Sequence, residues 1–580
     1  MSATDTGVDT VTWETPRATL RARWESLPSR DNAGATSKEG ILKCLGIPFA
    51  DVPYRWAAPR PKPFSWSGTR DCTAFGPGCP QTSQPLFDVE NIPLFGHLGK
   101  KSLPVRADVE DEFSCLNLNV FAPALRDSSD RLATSPKPLP VLVWVHGGGY
   151  TVGAGSVDLY AVTFNYRLGV LGFLHSRELV ADAALQADVP PRFRSTGNLG
   201  LVDAYYAFDW VKRNIATFGG DPEQITAIGE SAGAAIDVIG HQGTINYLVL
   251  SPQLQIHVKR IILCSSTTST IQLLRTDQAQ ASFESLCRNV GIDTVGTDAQ
   301  AVSRLRDVGV EELIEKAQSI SHAFRPAWDD ITISADPRDV VFKPELWDGS
   351  LTDVIIGVCQ SESWMRQATQ LNRKADLHHH IEGRIPPDRP DLRERAYELY
   401  SDESKFPWYK MPEGVSPEHR GSMAFEGQIR YYSPTNLVSE SFIRKPCPED
   451  QNGQAKDKTL YRYILSWTTD HFPASWPVTH TADILLTFLH DSLSTAERRV
   501  ALSFTDQLIA FTAGRKEQIR WKQYTAEDQL WNELDEDGKW RQRLEGTGEF
   551  DLDDEYSAFC KEAMRASLDY GRASWKGMAR

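Results

Sequence analysis

Gln224-Ile225-Thr226-Ala227-Ile228-Gly229-Glu230-Ser231-Ala232-Gly233 is the stretch whose reading decides the fold. Its first five residues are apolar and partly β-branched, which predicts a buried strand. The run from Ala232 to Gly240, rich in Ala and Ile, predicts the start of a helix. Between them lies a G-x-S-x-G pentapeptide, Gly229 to Gly233. A serine on a tight strand-to-helix turn sits in a strained backbone conformation with its hydroxyl pushed outward. Glycines two before and two after it leave room for that turn, because a side chain there would crowd the neighbouring backbone. Five such letters also match ordinary turns, so the weight falls on what accompanies them.

Upstream, the apolar run Val141-Leu142-Val143-Trp144-Val145 leads directly into His146-Gly147-Gly148-Gly149. Consecutive glycines let backbone N–H groups converge on one point, as an oxyanion hole requires, and H-G-G-G after a strand is one known way to build it. The N–H of Ala232, at the positive end of the expected helix, would be the remaining donor. The bland alternative is a Gly-rich turn, but two motifs in their expected order seldom coincide. Acyl transfer at a serine also needs a base and an acid that orients the base. In α/β-hydrolases these follow the serine in the order acid, then histidine. Glu362 lies just past the apolar run Val354 to Val358, at a strand end, where residues of open α/β sheets gather for catalysis. His480 stands in a loop before the helical run Ile484 to Leu489, with His471 and His490 as rivals.

Other apolar runs at 114–120, 161–166, 260–263 and 461–465 predict further strands. An amphipathic helix is expected from Leu201 to Ile215, with Val202, Tyr206, Trp210 and Asn214 in one stripe. Strands alternating with helices predict an α/β fold with a large, mostly parallel central sheet covered on both faces. The candidate chemical residues run from Gly147 to His480, so residues 36–580 are expected to form one domain behind a poorly ordered extension at 1–35. The polar, turn-rich stretch from Arg444 to Asp457 reads as a surface loop.

The net charge of 62 − 77 = −15 argues against binding nucleic acid or anionic membranes through bulk charge. No apolar run approaches the roughly 20 residues of a membrane span, and the polar first thirty residues show no signal peptide, so a cytoplasmic location is expected. None of the nine cysteines has zinc-ligand spacing. His378-His379-His380 sits among Lys374, Asp376, Glu382 and Arg384 and reads as a solvated loop rather than a metal site. No metal and no cofactor are therefore expected.

At this point the residues resemble a family, the type-B carboxylesterases, the cholinesterase-like branch of the α/β-hydrolase fold. Gly46-Ile47-Pro48-Phe49-Ala50, Asp111 to Val120, Asn165 to Phe173, Asn198 to Asp203 and Asn214 to Pro222 all look like its signatures, as does the serine pentapeptide. The resemblance runs from about residue 40 to beyond 520. It implies Ser231 as nucleophile, Glu362 as acid, His480 as base, and Gly148, Gly149 and Ala232 as oxyanion donors. It also implies a small-molecule ester as substrate and leaves the oligomeric state open. His480 fits the family's H-x-x-D/E pattern through Asp483.

The chain departs from the family at Ser361 and Ser363 beside the acid, at Ala204, and at Ser266, next to the second serine Ser265. Cys79 and Cys115 match a pair that is disulfide-bonded in secreted relatives; with no signal peptide in view they are expected as thiols, and Cys287 has no visible partner. The largest departure is a shortening by about a dozen residues between Gly149 and Arg167, where the family carries a crossover helix. Its loss is expected to bare apolar surface and to threaten the oxyanion loop. The alternatives to an ester hydrolase are a non-catalytic binding protein on the same fold, or a hydrolase impaired by this shortening.

Overall fold

The β-branched, apolar runs form strands because a pleated, half-buried surface suits their stiff side chains. Twelve of them make the main path of a 14-stranded sheet in this computed structural model. The structure describes residues 9–576 except 29–35, 83–106, 127–130, 158–160, 195, 235, 239–244, 246–255, 257, 266–267, 270–272, 294–297, 321–323, 334–338, 348–350, 364–376, 403–416, 446–456, 471–476, 490–492 and 545–553. The expected surface loop from Arg444 to Asp457 falls almost wholly outside these residues.

The strands are β1 (Thr10–Glu14), β2 (Thr19–Pro28), β3 (Thr36–Pro48), β4 (Asn117–Arg126), β5 (Leu139–Val145), β6 (Val162–Phe164), β7 (Gly220–Glu230), β8 (Arg260–Cys264), β9 (Asp353–Cys359), β10 (Thr459–Leu465), β11 (Leu530–Leu534) and β12 (Trp540–Leu544). Their spatial order is β1-β2-β3-β4-β6-β5-β7-β8-β9-β10-β11-β12. From β6 to β11 every neighbouring pair is parallel, whereas β1 to β4, the β4–β6 pair and the β11–β12 pair are antiparallel. The expectation of a parallel sheet thus holds for the centre and fails at the N-terminal flank. There, hairpin-like neighbours need no crossover, so short connections suffice. Residues 10–28, expected within a poorly ordered extension, are strands instead: Val11 and Trp13 of β1 and Leu20, Ala22 and Trp24 of β2 alternate inward and are buried.

The chain leaves β5 to one side for β6 and later returns on the other side for β7. That reversal of strand order opens a crevice at the carboxyl ends of β5 and β7, the usual ligand position in open α/β sheets. Between β6 and β7 runs helix α1 (Leu199–Asn214), whose stripe of Val202, Tyr206, Trp210 and Asn214 is buried as expected. Its N-terminal half is bolted to the strand end beside the crevice. Arg167 donates from Nε to Asp203 Oδ2 at 2.8 Å and from Nη2 to Oδ1 at 2.7 Å, with both side chains buried. The Arg167 backbone N–H adds a third bond to Asp203 at 3.0 Å, and Nη1 reaches the Ala57 carbonyl at 2.8 Å. Removing one partner strands a buried charge. Asp203→Ala should therefore cost about 3–5 kcal/mol, read as a lowered urea midpoint. A midpoint within experimental error of the parent would refute this account of the anchor.

No described helix is long and apolar enough to cross a membrane. His378 to His380, expected in a loop, lie on helix α2 (Leu377–Arg384). Leu377 and Ile381 are buried and set the face of that helix. His378 stacks on Tyr397 at 4.1 Å between ring centroids, and His380 meets Glu426 at 3.2 Å. Among the described residues no three His, Cys, Asp or Glu side chains are placed to hold a metal ion.

Candidate active site

Ser231 follows the last residue of β7 and opens a single 3-10 turn, Ser231–Gly233. Its φ is +52°, a conformation that costs an L-residue energy and persists only when the surroundings impose it. The two glycines are required by close approach. A Cβ on Gly229 would lie 2.7 Å from the carbonyl carbon of Gly233, and one on Gly233 would strike the carbonyl oxygen of Val145. Among the described residues of Ala232 to Gly240 the expected helix is not found. After the turn, Ile236–Val238 is extended and pairs with Thr268–Ser269, in keeping with its β-branched residues. The dipole available at Ala232 is that of one turn, not of a helix.

The acid and the histidine arrive on two loops that hydrogen-bond to each other. Ser361 N–H donates to the Val478 carbonyl at 2.8 Å, and Ser361 bridges to Thr479. Glu362 is thereby set beside His480. Its Oε2 lies 2.7 Å from His480 Nδ1, while Oε1 accepts the Cys359 N–H at 2.7 Å. His480 Nε2 lies 2.8 Å from Ser231 Oγ. Three residues separated by 249 and 118 positions thus form one hydrogen-bonded chain. His471 and His490 lie outside the described residues. Ser363, a departure from the family, donates to the Met423 carbonyl at 2.8 Å, which leaves Glu362 undisturbed.

Asp483, three residues after His480, ties this segment to the sheet. It accepts from Tyr463 Oη at 2.7 Å and from Ser265 Oγ at 3.3 Å. Burial pushes its carboxyl up to about 6. Gly357 on β9 is glycine because a Cβ would collide with the Tyr463 ring that makes this contact. Asp483 closes α3 (Ala482–Thr487) onto the sheet within its first turn.

The sequence reading missed Glu230. Its side chain is 2% exposed and its Oε1 lies 3.3 Å from His480 Nε2. Gly147 makes room for it, since a Cβ there would sit 2.6 Å from Glu230 Oε2. The residue between Gly229 and Ser231 is a variable position of the motif, so no letter pattern singled it out. Burial pushes the Glu230 carboxyl up, while the charged imidazole beside it draws it back toward ionisation. Burial also opposes a charged His480, but Glu230 and Glu362 outweigh it and hold the imidazole above its usual value. Replacing Glu230 by Gln removes one of those two carboxylates. The His480 value should fall, and the acidic limb of the kcat/KM profile should move to lower pH. A limb that stayed in place or moved up would count against this coupling.

The glycine loop after β5 holds its shape despite the shortening. Gly148 and Gly149 have φ of +103° and +62°. The Gly148 carbonyl accepts Thr151 and Val152 N–H groups, both at 3.1 Å. Gly153 exchanges two bonds with Gln81, at 2.7 and 3.0 Å. Gly155 N–H donates to Asn165 Oδ1 at 2.7 Å, and its carbonyl accepts Asn119 Nδ2 at 2.9 Å. Tyr166 Oη donates to the His146 carbonyl at 2.9 Å while its ring stacks on His146 at 4.3 Å. Burial drives His146 down to about 4, so its imidazole is neutral. Among the described residues no protein acceptor engages the N–H groups of Gly148, Gly149 or Ala232. The described part of the connection from β5 to β6 contains no helix, and β6 is only three residues long. Among the described residues the expected bare surface is not found around it: Trp144, Val157 and Ala161 are buried, and Trp144 packs edge-on to Phe488 at 4.8 Å. Side chains of α3 and α4 (Thr495–Thr512) share that cluster.

Cys79 and Cys115 are buried thiols with sulfurs 2.7 Å apart, and Cys287 is buried.

The geometry can be set beside known proteins. Residues 31–549 match the model of the carboxylesterase family. The chain is 30% identical to a para-nitrobenzyl esterase of Bacillus subtilis over 354 residues, 57% of this chain and 61% of that one. It is 28% identical to a phenmedipham hydrolase of Pseudarthrobacter oxydans over 66% of this chain and 71% of that one. It is 25% identical to neuroligin-3 of Mus musculus over 84% of this chain and 62% of that one. The match thus spans about three fifths of the first of these relatives. Among solved structures, a PNB esterase superposes with a TM-score of 0.66 at 22% identity, covering 96% of this chain and 99% of that one, which shows the same α/β-hydrolase fold.

Proposed function

This chain belongs to the carboxylesterase family, and from that premise we propose that it hydrolyses small-molecule carboxylic esters through Ser231, His480 and Glu362. The carrying observation is the unbroken hydrogen-bond chain from Ser231 Oγ through His480 to Glu362. His480 Nε2 takes the serine proton as Oγ attacks the ester carbonyl. Glu362 holds Nδ1–H, fixing the tautomer and stabilising the imidazolium that forms. The N–H groups of Gly148, Gly149 and Ala232 receive the oxyanion, each worth on the order of 10²–10³ in kcat. The imidazolium gives its proton to the leaving alcohol. Water then repeats the sequence on the acyl-enzyme and frees the acid.

A second reading keeps the fold for binding alone, supported by the match to a neuroligin. A fluorophosphonate probe on the full chain separates the two, since only an activated serine reacts. Labelling at Ser231 with turnover of p-nitrophenyl acetate supports the hydrolase. An intact protein that takes no label favours the binding reading. A panel of esters of increasing acyl length would then define the substrate.

A further inference from the structure

Helix α1 precedes β7 and packs against the sheet antiparallel to it, so its two ends face opposite edges of the sheet. Asp203 in its N-terminal half stands with Arg167 at the catalytic edge. Asn214, at its last residue, lies about 16 Å further along the axis, beside the start of β7. A cavity of about 600 Å³ opens at this far end, within the range that holds small organic ligands.

Its walls are aromatic on one side and cationic on the other. Phe64, Tyr206 and Trp210 are buried and supply the flat surface, with Phe64 edge-on to Trp210 at 5.4 Å. Arg17, Lys62 and Arg213 supply charge. Two of these cations are already neutralised: Lys62 pairs with Asp51 at 2.6 Å and Arg213 with Asp209 at 2.9 Å. Arg17 pairs with no carboxylate among the described residues. Its Nη1 donates instead to Asn214 Oδ1 at 3.0 Å. Asn214 is buried, and its own Nδ2 is held by the Trp210 carbonyl at 2.8 Å. The guanidinium, on an exposed side chain, is therefore oriented by a fixed amide and by no carboxylate among the described residues. Trp210 gives this wall its ring rather than a donor, because its indole nitrogen has no exposed surface.

We propose that this cavity binds a singly charged organic carboxylate with a flat aromatic body, its carboxylate on Arg17 and its ring against Phe64 and Trp210. Arg–carboxylate pairing is favoured by the fork geometry of the guanidinium. With Lys62 and Arg213 already paired, the lining leaves one cation for an anion, which suits a single charge better than a dianion such as a phosphate monoester. None of the lining residues belongs to the Ser231 group, so the site stands whether or not the chain is an esterase.

Calorimetric titration of the full chain with 2-naphthoate and with neutral 2-naphthamide tests this. The acid should bind saturably at one site, and the amide at least about tenfold more weakly. Arg17→Gln should weaken the acid about tenfold or more while leaving the amide unchanged. Ser65→Trp, at an exposed lining position, should fill the cavity and abolish both. Should Arg17→Gln lose its cooperative melt, Ser65→Trp alone decides. Absence of saturable binding, or naphthoate affinity unmoved by Ser65→Trp, overturns the proposal.

Discussion

Ser231→Ala should lower hydrolysis of p-nitrophenyl acetate by on the order of 10⁶ in kcat and abolish fluorophosphonate labelling. The magnitude follows from what the hydroxyl does. Without Oγ there is no acyl-enzyme, and His480 has nothing to deprotonate but water. The oxyanion donors remain, so a residual rate of about 10³–10⁴ over uncatalysed hydrolysis can survive. The variant should fold well. Alanine relieves no buried polar partner except His480 Nε2, which keeps Glu230 at 3.3 Å. The positive φ at this position is equally awkward for either residue. A variant within tenfold of the parent, or one still labelled, would mean that another serine carries the reaction.

Glu362→Gln should reduce kcat by about 10⁴ with little change in stability. The side chain is nearly isosteric, and its carbonyl oxygen can still accept the Cys359 N–H that Oε1 accepts in the parent. The other end would then present an NH₂ to His480 Nδ1, now 2.7 Å from Oε2. Two donors cannot face each other. The imidazole must turn or shift its proton to Nε2, and either change removes the acceptor that Ser231 needs. Glu230→Gln makes a useful contrast, since Glu230 touches the same ring at Nε2 without holding the tautomer. It should shift the pH profile and leave most of the rate. If Glu362→Gln cost no more than Glu230→Gln, the assignment of Glu362 as the orienting acid would fall.

Much of the architecture is legible from local chemistry. Each of the seven apolar runs lies on or overlaps a strand, and α1 forms over nearly the expected residues, because β-branched clusters and a 3.6-residue stripe are properties of a short window. The failures are informative. The nucleophile segment favours a helix by its alanines and a strand by Ile236 and Val238, and the extended form is the one found. The first strands look too polar to be structural. Only every second residue of Thr10–Glu14 is apolar, which is the pattern of a sheet edge with one wet face. The histidine tract looks solvated until Leu377 and Ile381 are seen to bury one face of its helix.

By itself the sequence determined the serine turn, the glycine loop and their order along the chain. These are steric matters: a positive φ, a missing Cβ, a run of stiff side chains, each decided within a few residues. Tertiary structure alone decided that Glu362 and His480 come within hydrogen-bonding distance, because the Ser361–Val478 pairing that joins their loops spans more than a hundred residues. It also brought Glu230 to the imidazole and shaped the shortened loop through Gln81, Asn119, Asn165 and Tyr166. Contacts of that range depend on how the sheet stacks its strands. No window of sequence around Ser231 contains them.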